Sequence, residues 1–245
     1  MRESTRSQPP KGLDRVWRSG GRIGWRSQLC ERQLLRFPLM KTSVSTAVAR
    51  RLQRVADGSF IRIRDLEVQI GSTRHAIEVI MSRLAAANKV ESLGRGLYWK
   101  GVRSRTGMQR PSAAAWGIEV GGVGSGPCDV SAARFLGLTT QVPVSEHIAV
   151  PGRAPAALPG IEFHSRSHTR ALNALRPAEV AVLEVLRMWP SGVEEDWRTF
   201  CARVTKLIQR GLVRPEAISA AVNDERTPVA RRHWKAYSDQ APVRR

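Results

Sequence analysis

Apolar positions first become periodic near Thr42, where Val44, Ala47, Val48, Arg51, Leu52 and Val55 follow an i, i+3, i+4 rhythm and Asp57-Gly58 supply a stop. This predicts a first helix. Phe60 to Ile63 then reads as a short strand, Asp65 to Ile70 as a short helix holding Leu66 and Ile70, and Gly71 as a turn. Ser72 is the expected cap of a further helix ending near Asn88. In that helix Ile77, Ile80, Met81 and Leu84 share one face, so His75, Val79 and Ser82 point away from the core. Two β-prone runs, Val90 to Leu93 and Leu97 to Lys100, flank Gly94-Arg95-Gly96 and predict a hairpin with a basic tip. Helix, strand, helix, turn, helix and hairpin within residues 40–102 is the order of a winged helix-turn-helix, whose third helix enters the DNA major groove while the wing touches backbone or minor groove.

Residues 103–126 carry Arg103, Arg105, Pro111 and five glycines from Gly117 to Gly126, a linker-like composition. After them the pattern is mixed through residues 127–240. Val130 to Leu136 reads as a helix ended by Gly137, Val144 to Val150 and Ile161 to His164 read as strands, and Leu175 to Met188 as a helix with Val182, Leu183, Val185 and Leu186 in its apolar set. Trp197, Phe200, Val204, Leu207 and Ile208 mark another helix, with two more near 215–223 and 228–238. The expected fold class is therefore α+β: a winged helix-turn-helix followed by a second mixed α/β domain that ends in helices.

Residues 1–39 show no sustained period and lack the apolar stretch of a signal peptide. They read as a disordered basic leader: either Met40 is the true start, or the leader is an arginine-rich arm that touches nucleic acid.

Charge sharpens the reading. The 245 residues contain 40 Lys and Arg against 21 Asp and Glu, a formal charge of +19, and mean hydropathy is −0.30. Residues 1–39 and 40–100 each carry +6 and residues 101–110 carry +3, so the excess sits on and before the predicted winged helix. A polyanionic partner follows. Six of the basic residues are lysines and 34 are arginines, which bind phosphate bidentately and stack on bases. A GC-rich coding sequence accounts for arginine over lysine but not for the shortage of acids. The expected DNA-contacting set is Arg62, Arg64, Ser72, Thr73, Arg74, His75, Glu78, Ser82, Arg83, Lys89 and Arg95, with the basic members neutralising phosphate.

Other chemistries find less support. No apolar run approaches the roughly 20 residues of a membrane span. Cys30, Cys128 and Cys201 are isolated, so neither a disulfide framework nor a cysteine zinc cage is expected, and a reducing, cytoplasmic setting fits. The glycine cluster lacks the preceding strand of a dinucleotide fingerprint and the Lys-Ser/Thr of a P-loop. His164 and His168 stand four apart, yet Phe163 reads as strand and no third ligand is placed beside them, so they read as surface histidines. Glu194, Glu195 and Asp196 open a helix and complement its dipole. With no nucleophile elbow, paired acids or nuclease-type D…E-x-K set after residue 111, the expectation is a non-enzyme without cofactor or metal, an N-terminal module of a nuclease being the alternative. The two tyrosines and scattered tryptophans form no RNA-stacking platform.

With these residues in view, the chain resembles the AbiEi antitoxin family of bacterial type IV toxin-antitoxin systems. Phe60, Asp65-Leu66, Ser82-Arg83-Leu84 and Gly94-Arg95-Gly96-Leu97-Tyr98 are similar to the family's winged helix, in which a helix ends in S/T-R-L before an R-G-x-Y wing. Val130 to Pro143, with Ser131, Ala133, Gly137-Leu138, Gln141 and Pro143, is similar to the segment that opens the family's C-terminal domain, although Ser131-Ala132-Ala133-Arg134 stands where S-A-L is usual. The resemblance spans roughly residues 42 to 238. It implies an antitoxin that represses its own operon by binding promoter inverted repeats and that counters a nucleotidyltransferase-like toxin without a stable complex. An orphan winged-helix regulator is the alternative it leaves.

Overall fold

A computed structural model describes residues 43–240, so the predicted leader lies outside the described residues. The first helix, α1 (Val44–Arg54), starts where Ser43 Oγ accepts the Thr46 N–H at 3.2 Å and buries Val48 and Leu52. Strand β1 (Ser59–Arg62) leads directly into α2 (Ile63–Ile70), which Gly71 ends in the left-handed conformation at φ 66°. The next helix, α3 (Arg74–Ala86), is capped by Thr73, whose Oγ1 accepts the Ala76 N–H, and not by Ser72 as the sequence predicted. The cap falls to Thr73 because it is the extended residue three before that free N–H.

Strands β2 (Glu91–Gly94) and β3 (Leu97–Lys100) form the wing hairpin, and β3 pairs antiparallel with β1 so that the sheet order is β1-β3-β2. The register Ile61↔Tyr98 turns both side chains inward against Ile63, Leu66, Ile77, Met81 and Val90. The three helices and the sheet thus share one apolar core, the winged-helix arrangement.

Residues 103–126 are not a linker. A short hairpin, β4 (Arg103–Ser104) with β5 (Gly107–Met108), is held to the wing by Trp99 Nε1, which donates to the Gln109 carbonyl at 2.7 Å. Helix α4 (Ala113–Gly121) follows, capped by Ser112 Oγ on the Ala115 N–H. It lies on a second sheet of β6 (Gly126–Pro127), β7 (Glu146–Pro151) and β8 (Ile161–Arg166), in which β7 runs antiparallel to β6 and parallel to β8.

Four of the five glycines of linker-like composition are points of close approach, Gly122 being the exception: a Cβ on Gly117 would sit 2.7 Å from Ile148 Cγ1 and 3.0 Å from Ile161 Cγ2. Gly117→Ala is accordingly expected to destabilise the chain by about 1–3 kcal/mol through overpacking, read as a lower urea midpoint with unchanged slope. A neutral result would mean that α4 does not press on this sheet.

The remaining helices are α5 (Asp129–Phe135), the single turn α6 (Thr169–Leu172), α7 (Pro177–Met188), α8 (Trp197–Gln209), α9 (Pro215–Asp224) and α10 (Pro228–Gln240). Proline opens α7, α9 and α10, where its missing N–H costs nothing. Helix α7 is the axis of this part: Val180, Ala181, Val182, Leu183, Val185 and Leu186 are all fully buried, and so is Glu179. Among the described residues no helix is long and apolar enough to cross a membrane. The chain is a mixed α+β protein.

Candidate nucleic-acid interface

The winged helix presents α3 with Ile77 and Met81 at 0% exposure on its inner side. On its outer side His75, Ser82 and Arg83 are exposed and Val79 lies between them, as the periodicity required. Thr73 and Arg74 are exposed at the helix start, with Ser72 partly covered. Arg74 Nε donates to Glu78 Oε1 at 2.7 Å, so these two candidates hold one another. The same guanidinium reaches the wing, Nη2 lying 3.5 Å from where a Cβ on Gly96 would stand.

The wing tip is built from three successive residues at positive φ: Gly94 at 86°, Arg95 at 53° and Gly96 at 73°. Glycine adopts that conformation freely, whereas an arginine there is strained, so the turn fixes Arg95 at the apex with its side chain exposed. Arg64 on α2, Arg83 on α3, Lys89 beyond it and Arg95 are exposed and make no ion pair among the described residues. Their charge is available to phosphate.

Arg62 is different. Its Nε donates to Glu119 Oε1 at 2.7 Å and its Nη2 to the Glu119 carbonyl, which ties β1 to α4. The predicted phosphate contact is thereby an intramolecular tie, and the glutamate responsible lies 57 residues away, beyond any local pattern. Beside that tie a small cleft of about 110 Å³ separates Gly94 and Arg95 from Val120 and Leu158.

One basic element escaped the sequence reading. The β4-β5 hairpin, with Arg105 exposed in its turn, walls a cleft of about 710 Å³ whose other sides are Asn88 after α3 and Glu91 and Ser92 on the β2 edge. Arg103 donates to the Asn88 carbonyl, and Arg110 pairs with Glu91 at 2.7 Å. The +3 charge of residues 101–110 therefore lies beside the end of α3 rather than along a tether.

Two polar clusters sit in the second part of the chain. The first is on α5, where Ser131 Oγ donates to Glu146 Oε2 at 2.8 Å and accepts the His147 N–H at 3.0 Å, while Arg134 pairs with Glu146. His164 is not paired with His168. It meets His147 across the parallel strands, His147 Nδ1 and His164 Nε2 being 3.0 Å apart, with Asp129 Oδ2 at 3.7 Å from each. Burial pushes the neighbouring Cys128 thiol well above its ordinary range, and the carboxylates of Glu184 and Asp129 add to that.

The second cluster is buried. Glu184 on α7 accepts from Nε and Nη2 of Arg166, each at 2.9 Å, and Arg170, 1% exposed, lies between Glu184 and Glu225.

Fold and site together define a mixed α+β protein with an exposed winged-helix face. No family model and no curated protein matches the chain. Among solved structures it is similar to the RV2827C protein from Mycobacterium tuberculosis, with a TM-score of 0.41 and 14% identity over 80% of this chain and 76% of that one.

Proposed function

We propose that the chain binds double-stranded DNA sequence-specifically through α3 and represses transcription from a promoter inverted repeat. The observation that carries this reading is the outer face of α3, with His75 and Ser82 exposed and Val79 half-buried between them, bordered by Arg64, Arg83, Lys89 and Arg95, which make no ion pair among the described residues. An α-helix with that profile fits the major groove, where each base pair shows a distinct pattern of donors and acceptors, while the flanking charges set register on the backbone. The β4-β5 hairpin extends the basic border past the end of α3.

The resemblance to AbiEi antitoxins extends the proposal: the promoter is that of the chain's own operon, and the counterpart is a nucleotidyltransferase-like toxin. Ser131, one of the residues that carry the C-terminal resemblance, is used internally, holding Glu146 together with Arg134. The purified chain should shift a duplex from upstream of its own gene at concentrations that leave a shuffled duplex free. Co-expression should restore growth to cells making the neighbouring nucleotidyltransferase. Equal affinity for both duplexes would end the repressor reading, and growth arrest without rescue would leave an orphan regulator.

A further inference from the structure

We propose that Asp129, His147 and His164 form a binding site for a divalent transition cation of the zinc class. The strand register assembles it. In the parallel β7-β8 pair, Ala149 faces His164 and His147 faces Glu162, so the two histidines stand diagonally on one side of the sheet, with the Ala149 methyl and the Glu162 side chain at the other two corners. The Cys128 N–H donates to the His147 carbonyl at 2.9 Å, which brings the start of α5 alongside, and Asp129 follows at φ 48°. A non-glycine residue in that conformation is strained, and here the strain accompanies a carboxylate delivered to two imidazoles.

The distances suit a metal. A point equidistant from His147 Nδ1, His164 Nε2 and Asp129 Oδ2 lies about 2.0 Å from each, and zinc bonds imidazole nitrogen and carboxylate oxygen at about 2.0–2.2 Å. Without a cation, one imidazole must donate the hydrogen that the other accepts. A cation takes the place of that hydrogen between the rings, the donating imidazole carrying its proton on its other nitrogen instead, so that both facing nitrogens act as donors of electron pairs.

The side chains of His147, His164 and Asp129 are 27%, 32% and 42% exposed, so a fourth position is open to solvent. Cys128 Sγ and the Glu162 carboxylate flank the triad, each within 4.8 Å of His164. Imidazole donors favour zinc, copper, nickel or cobalt and disfavour magnesium and calcium, which take oxygen. Ser131 and Arg134 complete the design by fixing Glu146, the residue before His147.

The test uses the untagged full-length chain, stripped with a chelator and titrated with Co²⁺ and then Zn²⁺. One equivalent of cobalt should bind with the visible absorption of a four-coordinate site, and zinc should displace it. Zinc at about a hundredfold excess over its dissociation constant should raise the melting temperature by about 5–10 °C, a readout that needs no variant. His147→Gln and His164→Gln should bind at least about 100-fold more weakly, since loss of a direct ligand exceeds the 10–100-fold cost of losing an outer partner. His168→Gln should bind as the parent does. Absence of saturable cobalt uptake by the parent chain, or uptake undiminished in both glutamine variants, would overturn the site.

Discussion

Arg170→Met is expected to lower the stability of the folded chain by about 3–5 kcal/mol, the range for removing one partner from a buried ion pair. Arg170 is 1% exposed, and its guanidinium lies between Glu184 and Glu225, which are 3% and 6% exposed. Nε and Nη2 donate to Glu225 Oε1 at 3.0 and 2.6 Å. Nη1 stands 2.6 Å from Glu184 Oε1 but without hydrogen-bond geometry, so that contact is Coulombic. Methionine keeps most of the volume and removes the charge. What remains is two carboxylates held near each other in the interior with only Arg166 and Arg187 to compensate.

The same network predicts a pH dependence. Burial works against the charge of Glu184, but the Arg166 hydrogen bonds and the charges of Arg170, Arg166 and Arg187 outweigh it and hold the carboxyl below its ordinary range. A carboxyl depressed in the folded state adds stability above its unfolded value, near pH 4.3, and that stability is lost as pH falls through the folded value. Arg170→Met should therefore move acid unfolding to higher pH. A urea midpoint within experimental error of the parent and an unshifted acid transition would show that the network is not what holds α7 to α6 and α9.

Ser82→Glu is expected to reduce affinity for the promoter duplex by about 100-fold or more while leaving the fold intact. Ser82 lies seven residues, two helical turns, from His75 on the exposed side of α3, so a carboxylate there meets no core atom. In a major-groove complex it faces phosphates across a few ångströms, and like charges so placed cost several kcal/mol. His75→Ala on the same face should remove about 1–3 kcal/mol of discrimination against the wrong base. Parent-like binding by Ser82→Glu would mean that α3 does not enter the groove.

The winged helix was legible because its signals are local. The 3.6-residue period places Ile77 and Met81 inside and His75 and Ser82 outside, and glycines on both sides of Arg95 mark a turn. What escaped was set by partners distant in sequence. Gly117 looks like linker in composition, and only the presence of Ile148 and Ile161 against α4 shows that it is a packing site.

Arg62 looked free because Glu119 is invisible from position 62. The four-residue spacing of His164 and His168 is a local helical signal, whereas the real neighbour of His164 is set by the register of two parallel strands. Glu179 and Glu184 interrupt an otherwise apolar helix, a signal that something must neutralise them. The sequence does not say that Arg214 serves the first and Arg166 and Arg170 the second.

In the function proposed above, α3 reads DNA while the wing and its basic surroundings hold phosphate. Its most direct test is a salt titration of binding to promoter and random duplexes by the parent chain, Arg95→Ala and Arg62→Gln. Arg95→Ala should weaken both duplexes by similar factors and flatten the slope of log K against log salt by about one. Arg62→Gln should leave that slope unchanged, because Arg62 is bound to Glu119. A parent chain without preference for the promoter duplex, or Arg95→Ala with unaltered random-duplex affinity and slope, would contradict it.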